Sequence, residues 1–405
     1  MEINTNVIKK VIEKDNIYVE FQPIVSVAAR RMIGVEALSR GEFSGETISP
    51  YYLFQYAKDL GLTFELDKIC REKALEAFSE EQIVPMLFLN FETDVLNNIE
   101  PGEDEIISEA DKYNIPYENI VIEINKNRVY DNRNLLKFSE FYRQKGFLIA
   151  LDNVGAGHSN LNRITFVKPD IVKIDRALVQ EIDKSPYSRE VFKSIINLSK
   201  KIGALTIAEG AETLEEVVTC MLCGVDLFQG FYFAKPEPFD ELFSIDIDEK
   251  LENAAQGLKA SMKLKQEIDG NYKKGYMTLI DELVTKLADV SAAQFEDILW
   301  QYVTDNNAVE CVFLLDNNGV QISDTIILED TLNERHSVLF APAIKGDKHE
   351  IKNYYYAVKE NIENPFISDW YISNATGKTC KTLSSKFNDK DGNIVIVCID
   401  LKFNK

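Results

Sequence analysis

Leu148-Ile149-Ala150-Leu151-Asp152 is a short apolar run that ends on a carboxylate and is followed by a stretch of helical periodicity. Four further runs are built the same way: Leu87-Phe88-Leu89-Asn90, Ile120-Val121-Ile122-Glu123, Ile171-Val172-Lys173 and Thr206-Ile207-Ala208-Glu209. Short β-branched or leucine-rich runs without polar alternation read as strands buried on both faces, and the steps between their polar ends are close to the ~30 residues of a βα unit. A closed barrel of such units gathers the C-terminal strand ends on one face, where barrel enzymes place their chemistry. The expected fold is therefore α/β, a closed barrel of βα units. A single polar residue at a strand end usually just starts a loop. Five such ends, carrying carboxylates, an amide and a lysine, point to a divalent-metal site.

Size and charge bound the function. A chain of 405 residues has room for two domains, one of them barrel-sized. The net charge of −21 repels polyanions, which argues against nucleic-acid polymers and anionic membrane surfaces as partners. A small anionic ligand stays compatible if metal ions or local basic residues neutralise it. No apolar run approaches the ~20 residues of a membrane span, and Met1 to Lys10 lacks a signal-peptide core, so membrane insertion is not expected and a cytoplasmic location is. Cys70, Cys220, Cys223, Cys311, Cys380 and Cys398 are scattered through apolar or helical surroundings, as free thiols are in a reducing compartment. The Cys220-Met221-Leu222-Cys223 spacing sits late in an apparent helix and has no second pair to complete a zinc site. His336 and His349 have no ligand-like context, and His158 lies in a loop where a solvent-facing role is the ordinary one.

Three stretches follow: 1–245 with strand–helix alternation, a helical linker over 246–290, and a small α+β domain over 291–405. The first opens with two extended runs, Tyr18 to Val27 and Arg31 to Leu38, joined as a hairpin through Ala28-Ala29-Arg30. Helical periodicity covers 50–80, 103–114, 132–146, 185–202 and 213–223. The linker reads as one long or broken helix, with Gly257, Gly270 and Gly275 as weak points. Ser291-Ala292-Ala293-Gln294 resembles a capping box opening another helix. In the last stretch, Asn318-Gly319 between Val312 and Ile322 is a hairpin signal, and Asp389-Lys390-Asp391-Gly392 before Asn393 to Asp400 repeats it.

The barrel's motifs resemble the EAL-domain family over about residues 5–240. They include Phe21-Gln22-Pro23-Ile24, Val35-Glu36-Ala37-Leu38-Ser39-Arg40, Asn90, Glu123 and Lys168-Pro169-Asp170-Ile171-Val172-Lys173-Ile174-Asp175. Ala208-Glu209-Gly210-Ala211-Glu212-Thr213 and Phe228-Gln229-Gly230 through Pro236 complete the set in order. The resemblance implies a TIM-like (β/α)8 barrel that recognises the bacterial messenger cyclic di-GMP, and active members linearise it to pApG with Mg2+ or Mn2+, Ca2+ being a possible, inhibitory occupant. It also implies roles. Glu36, Asn90, Glu123 and Asp152 match the metal ligands, an all-oxygen set suited to these ions. Lys173 and Glu209 match the catalytic positions, as phosphate-neutralising or water-orienting lysine and as general base or second-metal ligand. Gln22, Leu38, Arg40, Asp175, Gln229 and Pro236 match ligand-binding positions.

Two departures bear on activity. Active members carry two successive aspartates after the fifth strand, whereas this chain reads Asp152-Asn153-Val154-Gly155. Asn153 removes a formal charge from the second metal site. Three residues after Glu123 the family's loop-holding glutamate is replaced by Lys126, a charge reversal at a distance scale where a unit-charge pair, ~4 Å apart at an effective dielectric of ~20, interacts by about 4 kcal/mol. The Lys126 ammonium is expected to take over part of the lost cation's electrostatic role, unless it swings into solvent.

The C-terminal stretch resembles Cache-type, PAS-like sensory domains over about 295–403, through Phe313 to Gly319, Pro365 to Ser373 and Gly392 to Asp400. This implies an unknown small ligand or protein partner. Trp370, Tyr371 and Asp369 could line a pocket, although aromatic core packing is the commoner role. The long helix would couple the domains and supply a homodimer contact. Three functions stand: a cyclic di-GMP receptor with weak or lost phosphodiesterase activity, an active metal-dependent phosphodiesterase, and a protein-interaction module without nucleotide. The site residues favour the first.

Overall fold

A computed structural model describes residues 3–80, 85–92, 101–102, 105–124, 132–156, 162–242, 244–328 and 340–403. The chain divides into two compact units, Met1–Lys263 and Leu264–Lys405.

The first unit is a closed eight-stranded barrel. Its strands are β1 (Ile17–Ser26), β2 (Arg31–Phe43), β4 (Met86–Phe91), β5 (Ile120–Ile124), β6 (Leu148–Val154), β7 (Ile171–Ile174), β8 (Leu205–Glu209) and β9 (Leu227–Gln229), with the short β3 (Glu46–Ile48) paired to the end of β2. From β2 through β9 the barrel neighbours are parallel, and all five runs ending on functional residues are among them. β1 closes the circle by pairing antiparallel with both β2 and β9. One barrel strand thus runs against the other seven, because the opening hairpin supplies two adjacent strands without a crossover helix.

Period-two alternation sorts the side chains of these strands. Val35, Leu87, Ile122, Ile149, Val172 and Phe228 belong to the large core beneath the helices. The alternate residues form a separate cluster inside the barrel: Ile24, Phe88, Val121, Ala150, Ile171, Ile207 and Leu227. Adding two residues to six of these positions, or subtracting two from Ile24, gives Asn90, Glu123, Asp152, Lys173, Glu209, Gln229 and Gln22. The apolar cluster is therefore the floor on which the polar layer stands. Gly34, two residues before Glu36, completes the floor. A Cβ there would come within 2.9 Å of the Phe88 ring and 2.8 Å of the Met86 carbonyl oxygen.

The helices follow the expected order, with local corrections. The 50–80 stretch is two helices, Pro50–Leu60 and Thr63–Glu80, separated at Gly61, whose φ of 71° ends the first in the left-handed conformation. The linker is one unbroken helix, Ile247–Ala288, and the division between the units falls within it. Gly257, Gly270 and Gly275 do not interrupt it. Ser291 opens a single 3-10 turn before the helix Phe295–Asp305, but its side chain makes no capping hydrogen bond.

The second unit holds an antiparallel sheet in the order β11 (Ile326–Ile327), β10 (Val309–Asp316), β15 (Ile394–Lys402), β14 (Thr379–Asn388), β12 (Phe366–Ile367), with β13 (Tyr371–Ile372) also on β14. The Asp389–Gly392 turn joins β14 to β15 as expected. The Asn318-Gly319 turn also forms, with Asp316 N donating to Val320 O at 2.8 Å, but its returning arm meets β10 through an isolated bridge, Leu315 to Gln321, and not as a strand. β10 pairs instead with β15 and β11.

Candidate functional site

At the C-terminal strand ends the polar layer converges on one ammonium. Lys173 on β7 is 1% exposed, and its Nζ lies 2.7 Å from Glu36 Oε2, 2.8 Å from Glu123 Oε1 and 2.9 Å from Glu209 Oε1. Parallel registration aligns these side chains: Asn90 stands opposite Glu123, and Glu209 opposite Gln229. On the hairpin side Gln22 pairs with Glu36. Two amides finish the coordination of Glu36, Asn90 Nδ2 donating to Oε1 and Gln229 Nε2 to Oε2, both at 2.6 Å. Gln229 Nε2 also lies 3.0 Å from Gln22 Oε1, and Gln22 Nε2 donates to Ala234 O at 3.1 Å. That last bond ties the loop containing Pro236 to β1.

The carboxylates are not equivalent. Burial raises the pKa of Glu36, but the Lys173 ammonium and hydrogen bonds from Lys173, Gln229 and Asn90 outweigh it and hold the carboxyl below its ordinary range. Glu123 is wholly buried, and its Oε2 has no hydrogen-bond partner among the described residues. Burial first, then the Glu36 charge, pushes it well up despite Lys173. Burial also raises Asp152 and takes Glu209 to about 8, with Asp152 and Glu36 adding to the rise of Glu209 and Lys173 opposing it. Burial disfavours the Lys173 charge, yet the surrounding carboxylates keep it firmly protonated.

Four acidic groups around one cation form a donor set that fits a divalent ion. The ligands would be hard oxygens, one buried carboxylate oxygen is unsatisfied, and ionising all four acids leaves an excess of negative charge that burial penalises. As placed, the side chains close on Lys173; among the described residues no three His, Cys, Asp or Glu side chains form a ready-made chelate.

Asn153 sits where the β6–β7 register slips, with φ of 56°, a left-handed conformation that asparagine and aspartate tolerate better than most residues. Its backbone N donates to Asp152 Oδ1 at 2.7 Å, and its side-chain amide donates to Asp152 Oδ2. Lys126 and His158 lie outside the described residues.

The remaining expected positions stand apart from the Lys173 cluster. Arg40 pairs with Glu20 at 2.9 Å and donates to Ser39 O. Asp175 caps the short helix Arg176–Val179 by accepting from Ala177 N at 2.8 Å. Leu38 lines a cavity of about 680 Å3 that also reaches Glu36, Asn90 and Asp152. Its far wall holds residues the sequence reading did not single out, among them Tyr51, Phe54, Lys58 and the buried pair Asp67 and Arg71. The i, i+4 spacing of Asp67 and Arg71 on an otherwise core-facing helix was a readable signal. All six cysteines are free thiols.

Residues 5–236 match the family model described as EAL domain. The chain belongs to the EAL-domain family. Its relatives include the uncharacterized EAL-domain containing protein YkuI of Bacillus subtilis, 24% identical over 406 residues, covering 96% of this chain and 95% of YkuI. The crystal structure of YkuI, in complex with substrate c-di-GMP and calcium, superposes with a TM-score of 0.80 over the whole of both chains at 24% identity, a likeness of fold. A standalone versatile EAL protein from Vibrio cholerae, in its c-di-GMP-bound form, is 31% identical with a TM-score of 0.50, covering 55% of this chain and 92% of that one. Klebsiella pneumoniae BlrP1, solved as a manganese/cy-diGMP complex, has a TM-score of 0.50 at 26% identity, covering 55% of this chain and 56% of its own. Among the described residues of the EAL chain, no helix is long and apolar enough to cross a membrane.

Proposed function

We propose that the barrel binds cyclic di-GMP together with one Mg2+ or Mn2+ ion and hydrolyses it weakly or not at all. Glu36, Asn90, Glu123 and Asp152 would hold the ion, with Ca2+ as an inhibitory substitute. The ion supplies positive charge to the ligand's phosphate and acidity to its bound water. Lys173 neutralises the phosphate, and Glu209 accepts or gives a proton. Gln22, Leu38, Arg40, Asp175, Gln229 and Pro236 remain the proposed ligand contacts, and Tyr51, 70% exposed in the adjoining cavity, offers a stacking face to a purine. The crystallised complexes of YkuI with c-di-GMP and calcium and of BlrP1 with manganese support both ligand and metal class.

The observation that carries the weak-hydrolysis reading is Asn153. Its amide donates to Asp152, whereas a second aspartate at that position would bring a second negative charge and call for a second cation. Asn153 thus satisfies Asp152 with a hydrogen bond where the active family uses charge.

The competing reading, a working phosphodiesterase, is favoured by Glu209: a carboxyl with a pKa of about 8 is suited to proton transfer near neutrality. Binding of cyclic di-GMP to wild type and Glu123→Gln, with Mn2+ or with chelator, tests the assignment. Saturable binding that needs both Mn2+ and Glu123 is expected; equal binding by the variant in chelator would contradict it.

The second unit is proposed as a Cache/PAS-like sensory domain, with boundaries near 1–245, 246–290 and 291–405. The helix Ile247–Ala288 exposes Leu264, Ile268 and Tyr272 at successive four-residue steps, which supports a homodimer contact along it.

A further inference from the structure

The helix Ile247–Ala288 begins beyond residues 5–236, which match the EAL model, yet its first turns are built into the barrel unit. Ile247, Leu251, Ala254 and Ala255 are buried in the large core, and Glu252 pairs with Arg30 in the turn between β1 and β2. At Gly257 a Cβ would come within 2.9 Å of Val218 Cγ2, on the helix Leu214–Cys223. Two further contacts reach the segment that follows β9. Half-buried Lys250 donates from Nζ to Phe233 O at 2.8 Å, and Tyr232 OH donates to Lys250 O at 3.4 Å.

That segment carries residues assigned above to ligand contacts. Its start is pressed against Ala211: a Cβ at Gly230 would come within 2.3 Å of Ala211 O, and Tyr232 N donates to the same oxygen at 3.0 Å. Phe233 is fully buried, its ring against those of Phe228 and Tyr232. Ala234 O accepts from Gln22 Nε2, while Gln22 Oε1 accepts from the Gln229 amide that also serves Glu36. Glu237 and Phe21 exchange backbone hydrogen bonds of 2.7 and 3.1 Å. Pro236 therefore stands between two anchored residues, Ala234 and Glu237. A glutamine amide must also face the right way round, and Ala234 O holds the donor end of Gln22. One residue earlier, the Phe233 carbonyl is held by an ammonium, and a charge-assisted hydrogen bond is stronger than a neutral one. A lysine at the edge of a helix can keep its head in water; Lys250 instead places it on the carbonyl of a buried residue.

We propose that Lys250 is a positioning residue for the nucleotide. By holding Phe233 O it fixes residues 233–236, and with them the orientation of Gln22 and the place of Pro236. The metal-ligand positions Glu36, Asn90, Glu123 and Asp152 stand on other strands, β2, β4, β5 and β6. The proposal rests on the reading of the barrel as a cyclic di-GMP site. It adds that the helix running unbroken past the division between the units is fastened to a segment of that site.

Lys250→Met keeps an apolar stem and removes the donor. In the full chain, the Mn2+ Kd is read from the paramagnetic resonance of the free ion, and the cyclic di-GMP Kd by calorimetry in saturating Mn2+. Cyclic di-GMP is expected to bind Lys250→Met at least about fivefold more weakly, the loss of one charge-assisted hydrogen bond. The Mn2+ Kd is expected to stay within about twofold of wild type, as for independent sites. Lys250→Arg, which restores a donor, is expected to regain most of the nucleotide affinity. A purely structural role would lower the melting temperature of Lys250→Met and leave its nucleotide affinity at the wild-type value, which would overturn the proposal. Equal losses of Mn2+ and nucleotide affinity would overturn it as well. Wild-type protein that binds Mn2+ but no cyclic di-GMP would instead overturn the reading of the barrel, and the proposal with it.

Discussion

Lys173 holds three carboxylates within 2.9 Å of one nitrogen, and the cluster has little to do with its mutual repulsion except bind protons or other cations. Lys173→Met is therefore expected to cost about 3–5 kcal/mol of unfolding free energy in chelator, the penalty of breaking a buried ion network, and excess Mn2+ should return part of it. Denaturant unfolding with and without the ion checks this. The cluster also sets a pH dependence. Glu209 titrates at about 8 in the folded chain against an ordinary 4.5, so the folded state binds more protons between those values. Its stabilising contribution is complete below pH 4.5 and is lost as pH rises through 8; Glu123 and Asp152, also raised, act in the same sense. In chelator the melting temperature should fall over this window, and Glu209→Gln should flatten the fall. At position 153 the left-handed backbone accepts aspartate as readily as asparagine, so Asn153→Asp tests charge with little added strain. Metal-dependent turnover should rise in Asn153→Asp and in Lys126→Glu, and more in the double variant than in either; retained binding with no gain in turnover would place the block elsewhere. Identity and order of residues made the cluster legible in the sequence. The closure of the carboxylates on Lys173, the pairing of Arg40 with Glu20 and the capping role of Asp175 were not legible, because each depends on which neighbours three-dimensional packing brings within hydrogen-bonding reach.

The strands were legible as elements because burial on both faces removes polar residues from a parallel strand until it reaches the rim. The same alternation that hides Leu87 and Leu89 under helices turns Phe88 into the barrel floor and Asn90 into the site. Glycines were less legible. Gly257, Gly270 and Gly275 read as weak points, yet a 42-residue helix runs through all three, since a local propensity cost of ~1 kcal/mol per glycine is small beside packing and the cooperativity of a long helix. Two glycines therefore respond in opposite ways to alanine. At Gly270 a Cβ meets nothing within 4 Å, and Gly270→Ala should stabilise by about 0.5–1 kcal/mol. Gly34→Ala drives a methyl into Phe88 and the Met86 carbonyl and should destabilise by about 1–3 kcal/mol, with loss of ligand binding as the floor under Glu36 shifts. Urea midpoints of the two variants against wild type give both signs in one experiment. The Asn318-Gly319 turn carries a related lesson. Its chemistry fixed the reversal, but β10 takes as its partner β15, whose paired residues lie from 79 (Asp316 to Val395) to 92 (Val309 to Leu401) positions away, a long-range choice that a local turn signal does not carry.

For the molecule as a whole, the chain combines a barrel that gathers acids around a lysine with a second unit whose fold extends the likeness to YkuI along the full length. A net charge of −21 surrounds a site proposed for an anionic nucleotide. Binding should therefore depend on a divalent ion to reverse the local sign of the field, and the central claim is that this ion supports recognition without efficient hydrolysis. The most direct measurement is a calorimetric titration of cyclic di-GMP into the intact protein with Mg2+, Mn2+ or Ca2+, followed by chromatography of the same samples for pApG. Saturable, metal-dependent heat with little or no pApG is the predicted result; steady pApG formation at stoichiometric binding would contradict the account and show that Asn153 leaves the hydrolytic machinery intact.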